Sequence, residues 1–363
     1  MKRIPQLDGI RGIAILLVLV YHTVVLPIGT LAPGPLGVLA RALGFCWGGV
    51  DLFFVLSGFL ITGILWDNRG ATNYFAVFYA RRSSRIFPVY YLSLGAFGLF
   101  VASGYARLPA FGWLVAGTIP AWGYATFTQN IFMGMAGHYG ANWLAATWSL
   151  AVEEQFYLVV PLAVRFLSRR WLLALFGAAI VAAPFLRLAT PGIGAYVYPW
   201  CRADALLSGA CLALGVRHEP FAAWIARRRG AVLGLLAACV AGGAVLKAVG
   251  VPQAWQHTLL ALAGVSVVAL GNLGSGTTLG SILGSRPLVW FGKLSYGIYV
   301  YHQIVAGVFH AVLLGHAPRL GNGAAEWWVS AAGVVATLLL AVASERWLER
   351  PCLRWAHRIA YRP

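Results

Sequence analysis

Charged residues are scarce in this sequence. They make up 10% of its 363 positions, whereas hydrophobic types make up 60%. Because soluble domains carry about 25% charged residues, too few are present here to cover a water-exposed globular surface. Lipid must therefore be the solvent for much of the exterior, which excludes an ordinary soluble protein.

Acidic residues are the rarest of the charged types. There are 10 Asp and Glu residues against 27 Lys and Arg residues, which gives a formal net charge of +17. In a soluble protein this excess would suggest a nucleic-acid partner. In a membrane protein, basic residues collect in cytoplasmic loops and face acidic lipid headgroups. We therefore expect membrane lipids as partners and no nucleic acid.

Cysteine is also sparse, and its pattern indicates neither disulfides nor a metal site. The five cysteines are scattered, at positions 46, 201, 211, 239 and 352. They lack the spacing of metal ligands, so we expect small buried side chains and no metal. The sequence also lacks linkers and the internal repeats typical of many transporters. We therefore predict a single domain over 1–363.

Long apolar runs are what the sequence does have. In lipid every backbone polar group must be satisfied internally, so membrane spans are helices or a closed barrel. The runs approach about twenty residues and lack the alternation of barrel strands. This predicts an all-α integral membrane protein, a bundle of about ten transmembrane helices. The predicted spans are 10–27, 45–66, 88–105, 148–166, 172–189, 196–216, 231–250, 255–272, 288–314 and 327–345.

An eleventh apolar stretch, 111–127, is short and interrupted by a proline. If it crossed the membrane, every later loop would change sides and most basic residues would lie outside, against the positive-inside bias. We therefore predict that 107–147 is an outer-side or re-entrant segment. Both termini are then cytoplasmic, with Lys2 and Arg3 at one end and the basic tail 346–363 at the other. The expected location is the inner (cytoplasmic) membrane of the cell.

Ionisable residues inside a bilayer are costly and usually face a functional cavity. The first predicted span reads LDGIRGIAILLVLVYH and contains Arg11 and His22, eleven residues apart. At about 100° per residue they share one helix face and lie roughly 16 Å apart along the axis. A lone histidine is most often a satisfied core residue, but an aligned buried arginine favours a functional pair.

Two further charged features have two interpretations each. Asp51, near the outer end of the second predicted span, is either a counter-ion or an interfacial carboxylate. Arg82 and Arg85, one helical turn apart in YARRSSRIFP, are either an ordinary positive-inside cluster or a phosphate site. Guanidinium groups at this spacing suit bidentate phosphate binding.

Later spans add acidic and polar candidates. Glu153 and Glu154 in WSLAVEEQFYLVVPL lie about 100° apart on a helix, so at most one faces a given cavity. Arg202 and Asp204 are either a buried pair that stabilises the bundle or part of a catalytic site. Weaker candidates of the same kind are Tyr296 and His302.

Several of these segments resemble motifs of the acyltransferase family 3 membrane proteins, which O-acylate sugars and some small molecules. The strongest are LDGIRGIAILLVLVYH, GVDLFFVLSGFLI, ARRSSRIFP and WSLAVEEQFYL, and weaker ones are RADALLSGACLA and GKLSYGIYVYH. Four motifs in the family's order, spread over nearly the whole chain, make the resemblance specific. Some members add a C-terminal extracytoplasmic hydrolase-like domain, whereas this chain ends soon after its last span and resembles the stand-alone members.

The resemblance implies roles for individual residues. Arg11 and His22 correspond to the family's essential pair, and Glu153 to its acidic residue after Trp-Ser-Leu. Arg82 and Arg85 correspond to its Arg-x-x-Arg. The family also implies acyl-CoA, most often acetyl-CoA, as a co-substrate, with no permanently bound cofactor. The resemblance thus implies that Arg11, Arg82 and Arg85 bind the donor.

We therefore predict an O-acyltransferase that moves an acyl group, most commonly acetyl, from cytoplasmic acyl-CoA to a hydroxyl of a glycan, glycolipid or similar acceptor. His22 is the expected general base, because imidazole titrates near neutral pH. Glu153 is expected to orient the imidazole or stabilise its protonated form. An acyl-histidine intermediate is a variant of this scheme.

Two other classes of function are compatible with buried charges. A transporter or flippase of a lipid-linked or hydrophobic substrate would use them as a translocation path, but the missing repeats and the four ordered motifs disfavour it. A catalytically silent sensor or scaffold would leave the buried histidine and glutamate without a purpose.

Overall fold

The computed structural model describes residues 4–29, 32–251, 253–274, 278–321 and 323–363. Helices are the only regular secondary structure in these ranges, which confirms the all-α fold. Lys2 and Arg3, which were predicted to be cytoplasmic, lie outside the described residues.

Ten long helices in the described ranges correspond to the ten predicted spans. They are α1 (Pro5–Val20), α2 (Gly49–Asp67), α3 (Tyr74–Ala102), α4 (Trp148–Phe166), α5 (Arg169–Ala189), α6 (Ala203–Gly215), α7 (Arg229–Ala248), α8 (Gln253–Asn272), α9 (Arg286–Leu314) and α10 (Ala324–Ser344). Eight of them are long and apolar enough to cross a membrane, and α4 and α6 are not among these eight.

Of the two exceptions, α4 is too polar and α6 is too short. Helix α4 carries adjacent glutamates, and α6 has only 13 residues. The predicted span 196–216 is interrupted near Pro199, so that a 3-10 turn, Trp200–Arg202, precedes α6. Most side chains of α6 are buried, and its sequence, ADALLSGACLALG, is apolar. Its short length alone therefore sets α6 apart from the eight helices.

Helix α3 begins earlier than the sequence predicted. It is 29 residues long and starts at Tyr74, whereas the predicted span starts at residue 88. Arg82 and Arg85 therefore lie within this helix, one turn apart as the sequence predicted. The apolar run marks only the later part of α3, because the earlier part carries these arginines, which line a cavity inside the bundle.

The segment 107–147 does not cross the membrane as a helix. It forms short helices of 7, 5 and 8 residues, Pro109–Val115, Ala121–Ala125 and Gln129–Ala136. Each is far shorter than the roughly 20 residues needed to span a bilayer. This agrees with the prediction that 111–127 is not an eleventh span.

Glycines bring the backbones of central helices into contact. A Cβ atom added at Gly58 in α2 would lie 1.8 Å from the carbonyl oxygen of Leu206 in α6. Reciprocally, a Cβ at Gly209 in α6 would lie 1.9 Å from the carbonyl oxygen of Val55 in α2. Small residues allow this close approach in membrane bundles, so Gly58 and Gly209 are packing residues of the α2–α6 contact.

Substituting Gly58→Ala should lower the melting temperature of the detergent-purified protein. The added methyl group must push α2 and α6 apart, and such overpacking typically costs about 1–3 kcal/mol. Gly95→Ala in α3 is a matched control, because a Cβ there meets nothing within 4 Å. Thermal unfolding followed by intrinsic fluorescence measures the difference, and equal melting temperatures for the two variants would contradict the contact.

Candidate active site

Two adjoining cavities lie between the central helices. The first, here called the basic cavity, has a volume of about 90 Å³, and the second, the aromatic cavity, about 830 Å³. Val50 and Tyr299 line both cavities, so the two spaces share a wall. Polar side chains of the basic cavity are Arg11, Ser57, Arg82, Arg85, Ser149, Glu153, Tyr157, Ser295, Tyr296 and Tyr299.

Three guanidinium groups converge on the basic cavity. Arg11 comes from α1, and Arg82 and Arg85 come from successive turns of α3. Arg11 also has an acidic neighbour one turn earlier, with 3.5 Å between its Nη1 and Oδ1 of Asp8. The sequence-predicted donor-binding residues are therefore brought together around one space, and their charge suits an anionic ligand.

Glu153 provides the carboxylate of the basic cavity. Tyr157 donates a hydrogen bond from its hydroxyl to Glu153 Oε2, over 3.2 Å. The same hydroxyl lies 2.7 Å from Oγ of Ser57 in α2. Glu154 points elsewhere, and its buried Oε1 makes no hydrogen bond among the described residues. Of the two adjacent glutamates, Glu153 is thus the one that faces a cavity.

His22 lines the aromatic cavity, in a π-helical turn, Tyr21–Val25, that follows α1. Such turns are rare and occur often at functional sites. Nδ1 of His22 lies 2.9 Å from the carbonyl oxygen of Val18. Because a carbonyl oxygen only accepts hydrogen bonds, Nδ1 must carry the proton. This leaves the Nε2 lone pair of neutral His22 available as a base.

His22 and Glu153 line different cavities. The neighbours of the His22 side chain include Val18, Tyr21 and His302, with 4.9 Å between the imidazole centroids of His22 and His302. Glu153 is instead bound by Tyr157. The partner beside the imidazole is therefore a second histidine, whereas the sequence had suggested an acidic residue.

The buried ion pairs differ from the one considered in the sequence. Arg202 donates to Asp51 and contacts His257, whereas Arg187 makes a bidentate pair with Asp204 over 3.0 and 2.7 Å. Arg202 and Asp204 are not partners of each other, because positions two apart at the start of a helix point in different directions. Asp51 is accordingly a counter-ion, as one of its two interpretations proposed.

Aromatic rings, side-chain amides, and Arg187 and His257 of the buried ion-pair network line the aromatic cavity. The segment 107–147 contributes Tyr139 and Asn142 to its wall. The other aromatic and polar lining residues are Tyr21, His22, Trp47, Trp148, Arg187, Tyr196, Gln253, His257, Tyr299 and Gln303. Sequence reasoning missed Arg187 and His257. His257 lies in the predicted span 255–272, so the rule that singled out His22 applies equally to it.

Three arginines line one cavity, and this cavity shares a wall with a second one that is lined by a histidine; together they form the candidate active site. The family model of the acyltransferase domain matches residues 4–346. The chain therefore belongs to this acyltransferase family.

Its curated relatives are O-acetyltransferases. Peptidoglycan O-acetyltransferase OatA of Listeria monocytogenes is 28% identical, over 96% of this chain and 56% of its own length. O-acetyltransferase OatA of Staphylococcus aureus is 26% identical, over 96% of this chain and 57% of its own length. The chain thus spans about half the length of the curated relatives it matches. No solved structure matches it.

Arg202→Ala should destabilise the protein strongly, because it leaves the Asp51 carboxylate buried beside His257 without its cation. Removing one partner of a buried pair typically costs about 3–5 kcal/mol. Arg319→Ala is the control, since Arg319 is 68% exposed in its pair with Glu326 and such pairs contribute about 0–1 kcal/mol. Thermal unfolding in detergent measures both, and similar melting temperatures would contradict a structural role for Arg202.

Proposed function

We propose that this acyltransferase moves an acetyl group from cytoplasmic acetyl-CoA to a hydroxyl of a glycan or glycolipid acceptor at the outer side of the inner membrane. The observation that carries the proposal is the pair of adjoining cavities, one basic and one aromatic, that share Val50 and Tyr299. Both curated relatives are named as O-acetyltransferases, which supports the acetyl group, and the name of the Listeria monocytogenes relative specifies peptidoglycan, which supports a glycan acceptor.

The donor enters at the basic end. Arg11, Arg82 and Arg85 bind the phosphates of the coenzyme through charge-assisted hydrogen bonds. The basic cavity, at about 90 Å³, is much smaller than the roughly 300–1,000 Å³ of typical ligand sites. The nucleotide therefore stays at its mouth, and only the narrow thioester arm passes inward.

The proposed orientation of the protein in the membrane follows from the basic residues near the donor site. The C-terminal tail packs beside the start of α3, where Arg81 donates to the carbonyl oxygen of Ile359 over 2.8 Å. The backbone N–H of Thr72 donates to the carbonyl oxygen of Arg362 over 3.1 Å. The positive-inside bias assigns such a concentration of arginines to the cytoplasmic side. Both termini then lie on the side where acetyl-CoA is made.

The acceptor occupies the aromatic cavity. Its volume of about 830 Å³ falls within the usual range for small-molecule sites. Trp47, Trp148 and Tyr196 offer flat faces for the apolar side of a sugar ring, and the amides of Asn142 and Gln303 can both donate to and accept from hydroxyls. Tyr139 and Asn142 of the segment 107–147 line this cavity, and the proposed orientation places that segment on the outer side.

His22 acts as the general base between the two substrates. Its Nε2 takes the proton of the acceptor hydroxyl while the hydroxyl oxygen attacks the thioester carbonyl carbon. The carbon–sulfur bond then breaks, and the departing thiolate takes the proton back from His22. The acetyl ester and free coenzyme are the products, and the histidine returns to its starting state.

Glu153 acts at the donor end in this scheme. Arg11 and Arg82 are charged groups that face it, and Tyr157 and Ser57 hold its position. A carboxylate among three guanidinium groups limits their mutual repulsion, which keeps them close enough to bind one phosphate-bearing ligand.

His22→Ala should abolish transfer of labelled acetyl from acetyl-CoA to a glycan acceptor in proteoliposomes. General-base catalysis contributes roughly 10²–10⁴-fold in rate, while donor binding at the arginines should persist. His357→Ala, at an exposed histidine near the C-terminus, is the control. A flippase would give acceptor movement without covalent transfer, and normal transfer by the His22 variant would refute its role as the base.

Arg82→Ala and Arg85→Ala should each raise the KM for acetyl-CoA about tenfold to hundredfold, with a smaller effect on kcat. Hydrogen bonds to charged groups contribute about 1.5–3 kcal/mol, which corresponds to that factor. Arg170→Ala removes an exposed arginine at the start of α5 and should leave the KM unchanged. The proposal for the donor site fails if all three variants show the same KM.

A further inference from the structure

The ring of a second histidine contacts the ring of the proposed base. His302 in α9 is 1% exposed, and its ring packs edge-on against that of His22, with 4.9 Å between centroids and 67° between planes. His302 is not among the residues that line the aromatic cavity. Any effect it has on the acceptor must therefore pass through His22.

The tautomer of His302 is fixed by the backbone. Its Nδ1 lies 2.8 Å from the carbonyl oxygen of Tyr299 and 3.2 Å from that of Ile298. Both partners only accept hydrogen bonds, so Nδ1 carries the proton and Nε2 carries a lone pair. This buried Nε2 makes no hydrogen bond among the described residues. An unsatisfied buried polar atom typically costs about 1–3 kcal/mol and calls for an explanation.

The lone pair of His302 lies beside a group that becomes positively charged in the proposed reaction. When His22 takes the acceptor's proton it becomes a cation in a largely dehydrated site, where an unpartnered charge is costly. Glu153 faces the other cavity. Arg187, which lines the aromatic cavity, is itself a cation and is already paired with Asp204. His302, whose ring contacts that of His22, offers the negative electrostatic potential of a lone pair without a negative charge.

We propose that His302 is a positioning residue for the base, and this rests on the proposed function. The unprotonated Nε2 of His302 keeps the His22 ring in its catalytic orientation and stabilises it while it carries the acceptor's proton. His302 keeps its own proton on Nδ1 and takes up none. The proton travels from the hydroxyl to Nε2 of His22 and then to the thiolate.

The same helical turn connects this pair to the wall between the cavities. Tyr299, whose carbonyl oxygen binds His302 Nδ1, lines both cavities. Its hydroxyl lies 2.6 Å from Ser149 Oγ in α4 and donates to the carbonyl oxygen of Ala146 over 3.0 Å. The His302 ring is therefore held by a turn that is itself anchored at the point where thioester and hydroxyl must meet.

Two substitutions separate the lone pair from simple packing. His302→Phe keeps a ring of similar shape but removes the acceptor, whereas His302→Gln removes the ring but can place an amide oxygen near the former Nε2 position. His310→Phe is the matched control, because His310 is also buried in α9 but bonds Ser330 instead. Each variant is purified in detergent, checked by thermal unfolding, and assayed for acetyl transfer in proteoliposomes.

We expect His302→Phe to lower kcat about tenfold, because protonated His22 then loses the lone pair beside its ring, with the KM for acetyl-CoA unchanged. His302→Gln should recover most of this loss, and His310→Phe should match the parent protein. Unchanged kcat in His302→Phe, or a Gln variant no better than the Phe variant, would overturn the proposal.

The parallel His22→Ala measurement tests the proposed function separately from the proposed role of His302. Activity in His22→Ala would refute the assignment of the base and, with it, the role of His302. Loss of activity in His22→Ala together with full kcat in His302→Phe would refute only the role of His302 and leave the proposed function standing.

Discussion

A charge inside a bilayer must be paired or must face a polar cavity, and this constraint determines the arrangement of the whole bundle centre. Arg202 with Asp51 and Arg187 with Asp204 meet it by pairing. The arginines of the basic cavity meet it by facing an open space. Arg187 meets it in both ways, because it is paired with Asp204 and also lines the aromatic cavity.

The sequence predicted the features that depend on local composition. Scarce charge and long apolar runs were sufficient for an all-α membrane bundle. Arg11, His22 and Glu153 stood out because ionisable residues are conspicuous within such runs. Helical spacing indicated that at most one of Glu153 and Glu154 would face a given cavity. Of the two, only Glu153 lines the basic cavity.

Pairing across helices was beyond the reach of the sequence. Asp51 and Arg202 are separated by 151 positions and Arg187 and Asp204 by 17, so their partnership depends on how α2, α5 and α6 pack. The contact between His22 and His302 likewise depends on the approach of α1 to α9. The break before α6 was also missed, because the apolar run 196–216 continues through the 3-10 turn Trp200–Arg202.

Helix α1 carries Arg11, which the proposed mechanism assigns to donor binding, near its middle, and the π-helical turn that follows it carries the proposed base. Its glycines lock it against its neighbours, since a Cβ at Gly12 would lie 2.1 Å from the carbonyl oxygen of Leu288 in α9. In the proposed mechanism, α1 therefore fixes the distance between the donor's phosphates and the reacting thioester. This mechanism implies that a donor whose phosphate-to-thioester reach is too short would not deliver its acyl group, so that donors are selected by length as well as by charge.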